Sequence, residues 1–179
     1  MTMPLPTRRQ ALVRAACGLG SAFAATAVAQ SPPASEAGAS APAKVGARLD
    51  VPDVPMLDGS TYRSASADGQ VLVLYWWASW CPFCAVQSPL MEKLWLAQRV
   101  RGLRMLGLSI DKKPEDAVAY LAKRGYTFPS GWVSPAVARQ LPKPKGLPVT
   151  YVRGRDGRVL MAEAGQLFPE DIEQIARYV

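Results

Sequence analysis

Val71-Leu72-Val73-Leu74-Tyr75-Trp76-Trp77-Ala78-Ser79-Trp80-Cys81-Pro82-Phe83-Cys84 is the stretch from which the rest of the chain can be read. Residues 71–77 carry no charge and no small polar residue, which suits a strand covered on both faces of a sheet. After Cys81 the pattern changes. Pro82 belongs in a helix's first turn, where its missing N–H costs nothing, and apolar residues recur at Val86, Leu90, Leu94 and Ala97. A helix is predicted from Pro82 to about Val100, kinked at Pro89. Cys81 then sits at the helix start, where unpaired backbone N–H groups and the positive end of the dipole favour thiolate over thiol. Cys84 lies one turn further in, within reach of a disulfide to Cys81. Strand, Cys-x-x-Cys and helix in this order predict thiol–disulfide exchange, with Cys81 as nucleophile and Cys84 as the resolving thiol.

Two plainer roles for the pair fit less well. Structural zinc takes four ligands, usually Cys and His, and the chain has no histidine and one further cysteine, Cys17. A purely structural disulfide over so short a loop would restrict the unfolded chain little and so stabilise little. No metal site and no cofactor are expected. A Cu(I) metallochaperone remains an alternative, since soft thiolates suit that ion.

The first 29 residues read as a cleavable export signal. Arg8, Arg9 and Arg14 are basic, no acid precedes Glu36, an Ala-rich run spans residues 15–28, and Ala27-Val28-Ala29 supplies small residues before a cut at Gln30. The run is shorter than the ~20 residues of a membrane-spanning helix, so no stable span is expected after cleavage. Thr7-Arg8-Arg9-Gln10-Ala11-Leu12 resembles a twin-arginine signal, with Ala11 in place of the usual Phe. Both this route and the general secretory route stay open. Either places the protein in the bacterial periplasm, an oxidising compartment. Cys17 falls within this leader and lacks the apolar run that a lipid-attachment site requires.

Residues 30–47, rich in Ala, Ser, Pro and Gly, are expected to form a flexible tether, and residues 48–179 one domain. The chain carries 21 basic and 14 acidic residues. Without the three leader arginines, 18 − 14 leaves +4, spread along the sequence, and nucleic-acid binding is not expected. Extended pieces are predicted at Asp50–Pro55 and Thr61–Tyr62 around the turn signal Asp58-Gly59, then a strand at Leu103–Ile110 and a helix at Pro114–Arg124. A short extended piece at Thr127–Phe128 and a short helix at Pro135–Leu141 follow. Val149–Arg153 and Arg158–Glu163 read as a hairpin, and Pro169–Tyr178 as a closing helix with Ile172, Ile175 and Ala176 inward. The fold class is α/β, a sandwich with a central mixed sheet flanked by helices.

Tyr75-Trp-Trp-Ala-Ser-Trp-Cys-Pro-Phe-Cys84, Pro89 and Gly146-Leu147-Pro148-Val149-Thr150-Tyr151 resemble the thioredoxin superfamily, in particular exported TlpA-like thiol–disulfide oxidoreductases, from about Leu49 to Val179. The resemblance implies a thioredoxin-like sandwich with an N-terminal β-hairpin extension. It also implies a cis proline at Pro148, in a loop beside the cysteines where Leu147 and Pro148 bind substrate backbone; Trp80 would add an apolar contact surface. Two departures stand out. Thioredoxin has a buried aspartate where this chain has Tyr75, and many TlpA-like proteins have a glutamate where it has Gln87. Those carboxylates are associated with moving the second thiol's proton.

The expected activity is reduction of disulfides in exported partner proteins, with a membrane thiol–disulfide reductant recycling the pair. Disulfide oxidation or isomerisation by the same cysteines is the first alternative. A DsbA-type oxidase normally carries a large helical insertion, for which Asp111–Leu147 is too short. A peroxidase would need a different cysteine context. Trp76 and Trp77 are read as core residues, and Lys143 and Lys145 as solvated loop residues.

Overall fold

The protein is described by a computed structural model covering residues 43–179. The expected leader, Cys17 and residues 30–42 of the expected tether lie outside the described residues.

The apolar run forms β3, Leu72–Trp77, whose six residues are all buried. Its side chains alternate between the two faces of the sheet, as a strand requires. Leu72, Leu74 and Trp76 join one apolar cluster, and Val73, Tyr75 and Trp77 join the other. Parallel to β3 runs β4, Arg104–Ser109, with Leu74 opposite Leu106, and β4 is flanked in turn by the parallel strand β5, Ser130–Trp132. Across β3's other edge lies antiparallel β6, Val149–Arg153, and beyond it antiparallel β7, Val159–Ala164. The resulting five-stranded mixed sheet has the order β5-β4-β3-β6-β7. A separate two-stranded hairpin, β1 at Val54–Pro55 and β2 at Thr61–Tyr62, precedes it. Asp58 Oδ1 accepts from the Ser60 N–H and hydroxyl in its turn, and Gly59 takes φ 83°, a value that disfavours side chains.

Among the described residues four α-helices complete the sandwich: α1 at Pro82–Gln98, α2 at Pro114–Arg124, α3 at Pro135–Gln140 and α4 at Pro169–Arg177. Buried residues of α1, α2 and α4 share the cluster that contains Tyr75 and Trp77, whereas Val137 of α3 joins Leu49, Val51 and Val54 on the other face. Ile175 is fully buried, with Ile172 and Ala176 packed beside it, as the amphipathic pattern predicted. Trp76 and Trp77 are both fully buried. No helix among the described residues is long and apolar enough to cross a membrane.

Four local expectations need correction. The extended piece expected at Asp50–Pro55 shrinks to Val54–Pro55. The strand expected at Thr127–Phe128 lies instead at Ser130–Trp132. The Thr127 and Phe128 N–H groups bond to the Glu92 carboxylate at 2.8 and 3.0 Å, so they are not available to a ladder, which starts beyond Pro129. On α1 the inward face is Cys84, Gln87, Ser88, Met91, Glu92 and Leu94, while Val86, part of the predicted apolar stripe, is 55% exposed. Gly46 and Ala47, assigned by composition to the tether, already hydrogen-bond to Val159 of β7.

Candidate active site

The chain leaves β3 at its C-terminal end and turns through Ala78–Cys81, where the Cys81 N–H bonds to the Ala78 carbonyl at 3.2 Å. Cys81 is the N-cap of α1. It has extended backbone angles, and its Sγ accepts from the Cys84 N–H at 3.1 Å, so the sulfur satisfies one of the helix's unpaired donors. Pro82 occupies the first helical position, as predicted. Cys81 and Cys84 are disulfide-bonded, with Cα atoms 5.2 Å apart. Cys81 is 4% exposed and Cys84 fully buried, so the first sulfur has the easier approach by a small margin. Around them, Trp80, Phe83 and Val86 are 62%, 59% and 55% exposed, leaving an apolar surface on the turn and the outer face of α1. Trp80 was anticipated in this role. Phe83 and Val86 were not; Val86 was counted in the apolar stripe of the helix and so expected to face inward.

Beneath the pair lies a polar layer. The Tyr75 hydroxyl contacts the Cys84 carbonyl at 3.3 Å and Ser88 Oγ at 3.0 Å. Burial pushes that phenol far above its ordinary range, outweighing the opposing effect of the Ser88 bond, so it remains protonated. Gln87 is fully buried; its amide donates to Thr150 Oγ1 at 2.9 Å and accepts from the Leu167 N–H at 2.7 Å. One side chain thus ties α1 to β6 and to the segment that leads into α4. No acidic residue lies in the first turn of α1.

The Leu147–Pro148 bond is cis. Pro148 precedes Val149, which stands opposite Trp76 in the ladder, so the loop reaches the end of the sheet from which the cysteine turn departs. Its carbonyl accepts from the Gly165 N–H at 2.8 Å, and Leu147 packs against the cluster that includes both cysteines. In the same loop the Lys143 ammonium donates to the Pro144 and Gly146 carbonyls at 2.5 and 3.0 Å, while Lys145 is exposed.

Two buried carboxylates were missed by the sequence reading. Glu92, 9% exposed, takes three bonds from Thr127 and Phe128. Asp111, 3% exposed, takes bonds from the Ser79 N–H, the Ser79 hydroxyl and the Ser109 hydroxyl. The available signal for Asp111 was its position, a charge immediately after an apolar strand. No group of three or more His, Cys, Asp or Glu side chains among the described residues is arranged to hold a metal.

The site can therefore do dithiol–disulfide chemistry, and comparison with known proteins leads the same way. The thiol–disulfide oxidoreductase ResA of Oceanobacillus iheyensis is 24% identical over 117 residues, covering 65% of this chain and 61% of ResA. The thiol:disulfide interchange protein HelX of Rhodobacter capsulatus is 30% identical over 106 residues, covering 59% of this chain and 57% of HelX. The matched part is thus less than two thirds of either relative's length. In fold, a crystallised thioredoxin-family thiol:disulfide interchange protein of Chlorobium tepidum superposes with a TM-score of 0.68 at 21% identity, over 75% of this chain and 97% of that one. Residues 45–160 match the AhpC/TSA family, a span that includes β1 to β6, both cysteines and Pro148. The chain belongs to the AhpC/TSA family of the thioredoxin superfamily, among relatives named as thiol–disulfide oxidoreductases.

Proposed function

We propose that the protein is a periplasmic reductant of disulfides in exported partner proteins, acting through Cys81 and Cys84. The observation that carries this reading is the Cys81–Cys84 pair at the N-terminus of α1, with a backbone N–H already directed at Cys81 Sγ. In the reduced protein that N–H and the helix dipole favour a Cys81 thiolate. The thiolate attacks one sulfur of a partner disulfide; the Cys81–partner bond forms, the partner's S–S bond breaks, and the departing thiolate takes up a proton. Cys84, deprotonated, then attacks Cys81 Sγ. The intramolecular disulfide closes, and the partner's second sulfur leaves and is protonated. Two electrons and two protons have passed to the partner. A membrane thiol–disulfide reductant restores the dithiol by the reverse sequence.

Trp80 supplies apolar contact for the partner, and beside the cis Pro148 the backbone of Leu147 pairs with its extended segment, as in strand addition. The reductive direction is supported by the segment between Asp111 and Leu147, which is filled by α2, β5 and α3 and has no room for a larger helical insertion. Residues 1–29 serve as the export signal of this assignment, and the stretch from residue 30 up to the Gly46 contact with β7 as its tether.

Equilibrating the pair with a glutathione or dithiothreitol buffer tests the direction. A potential near thioredoxin's about −270 mV supports the reductant, and one near about −120 mV assigns the same cysteines to oxidation. Replacing Cys84 with Ala removes the resolving thiol and should leave Cys81 trapped in mixed disulfides with partners. Absence of any such adduct from periplasmic extracts would count against the exchange mechanism.

A further inference from the structure

Asp111 follows β4 at the end of the sheet from which the cysteine turn departs, and its carboxylate is nearly inaccessible to water. The Ser79 N–H approaches its two oxygens at 3.2 and 3.1 Å, the Ser79 hydroxyl donates at 2.7 Å, and the Ser109 hydroxyl at 2.8 Å. The Asp111 N–H bonds back to Ser109 Oγ at 3.1 Å, and the Trp132 indole N–H donates to the Asp111 carbonyl at 2.8 Å. Every partner is neutral. Lys112 and Lys113, next in the chain, are exposed, and neither makes an ion pair with Asp111. A negative charge is thus held in place by dipoles alone.

That charge is tied to the cysteine turn through two backbone bonds. Ser79 N is 3.1 Å from Asp111 Oδ2, and Cys81 N is 3.2 Å from the Ala78 carbonyl that precedes Ser79. Standard bond lengths then keep the carboxylate within about 9 Å of Cys81 N. Other charged groups near the pair are weaker candidates for setting its field. The first turn of α1 has none, Tyr75 is a protonated phenol, and Lys145 is exposed to solvent.

We infer that Asp111 is a positioning residue that holds the Ser79–Cys81 turn and, through its buried charge, disfavours the Cys81 thiolate, biasing the Cys81–Cys84 pair toward its disulfide form. An anion destabilises a second anion nearby but has little effect on a neutral thiol or a disulfide. The reduced, ionised state is therefore the one that suffers, and the pair becomes readier to give up electrons. The Cys81 sulfur lies at most ~4 Å beyond its own backbone nitrogen, and at about 13 Å with an effective dielectric of about 20 the expected effect on thiolate formation is on the order of tenfold. Asp111 in this way opposes the helix dipole, which favours the thiolate.

The inference rests on the redox reading of the two cysteines, and the test separates them. Asp111→Asn and Asp111→Ser both remove the charge; the first keeps the size and an acceptor for Ser79, the second leaves room for water. In the whole protein, the ultraviolet absorbance of the Cys81 thiolate is titrated, and the potential is measured at about pH 5 and about pH 10. Both neutral variants should form the thiolate about tenfold more readily, a shift of about one pH unit. Their potential should rise by about 30 mV at the higher pH, the equivalent of a tenfold change, and stay near the wild-type value at the lower pH, where the thiols are neutral. A merely structural role would leave the thiolate titration in place, or move the potential equally at both pH values. Folded variants with an unchanged thiolate titration would overturn the inference, as would failure of both variants to fold. Wild-type protein showing no dithiol–disulfide equilibrium would instead overturn the redox reading itself.

Discussion

Gln87→Glu places a carboxyl group in a fully buried position that is already wired at both ends. The Leu167 N–H, now 2.7 Å from Gln87 Oε1, can donate to one carboxylate oxygen. The Thr150 hydroxyl, which now accepts from the amide at 2.9 Å, can rotate to donate to the other. Two donors do not replace full hydration, and no basic side chain bonds to Gln87. Burial should therefore raise the new carboxyl's pKa by about 2 units above the ~4.3 of an exposed glutamate. The sign follows from proton uptake: between the unfolded and folded pKa values the folded state holds more protons, so stability falls as pH rises. Relative to wild type, the variant should be least perturbed below about pH 4 and should lose about 3 kcal/mol by about pH 8. Urea unfolding across that range measures the loss directly. The same group lies one helical turn from Cys84, the spacing at which helix side chains become neighbours, and general-base help is worth ~10²–10⁴-fold when aligned. Stopped-flow release of a fluorescent thiol from a Cys81 mixed disulfide should accelerate, with a new pH dependence at the carboxyl's pKa. A stability difference flat with pH, together with an unchanged resolution rate, would falsify both the burial argument and the assignment of this helix face to Cys84.

Glu92→Ala strips acceptors from the Thr127 and Phe128 N–H groups and the Thr127 hydroxyl; it should cost about 2–5 kcal/mol in urea unfolding, and a loss below about 1 kcal/mol would mean that water replaces the carboxylate. Trp80→Ala and Phe83→Ala, at exposed positions, should each leave stability within about 0.5 kcal/mol while lowering kcat/KM for a protein disulfide by about fivefold or more. Equal loss on a small aromatic disulfide would point instead to damage at the cysteines. Gly107→Ala would drive a methyl group into Ser130 Oγ, 3.0 Å from the Trp77 indole nitrogen and 3.1 Å from the Phe128 ring; a loss of about 1–3 kcal/mol is expected in thermal or urea melts, and none at all would show that β5 yields easily.

What the sequence made legible is what local chemistry controls. β3 could be read because an unbroken apolar run suits only a strand covered on both faces, and α4 because its apolar residues fall on one side. The cysteines were placed by the junction between these two kinds of pattern, with Pro82 marking the first helical turn. Reading failed where a buried face is polar. Gln87, Ser88 and Glu92 face inward from α1 while Val86 faces solvent and Leu94 is the one residue of the predicted stripe that is buried, so apolar periodicity there misplaces the inward face. It failed again where one long-range bond decides a boundary. Glu92 captures the Thr127 and Phe128 amides from 35 and 36 residues away, and no local preference of those two residues reveals it. Asp111 bonds to Ser79 across 32 residues, which only the parallel pairing of β3 with β4 brings together.

The stretch from Gly46 to Leu57 has one more effect. Gly46, Ala47 and Arg48 pair with Arg158 and Val159 at the start of β7, and Met56 and Leu57 then pair with Gly131 and Ser130 on β5. These are the two outer strands of the five-stranded sheet. A single run of a dozen residues thus crosses the sheet from one border to the other and occupies backbone donors and acceptors on both. Bare borders of this kind recruit strands from other molecules. The strap leaves much of β7 open but closes off β5, so self-association through this sheet has one border to use instead of two.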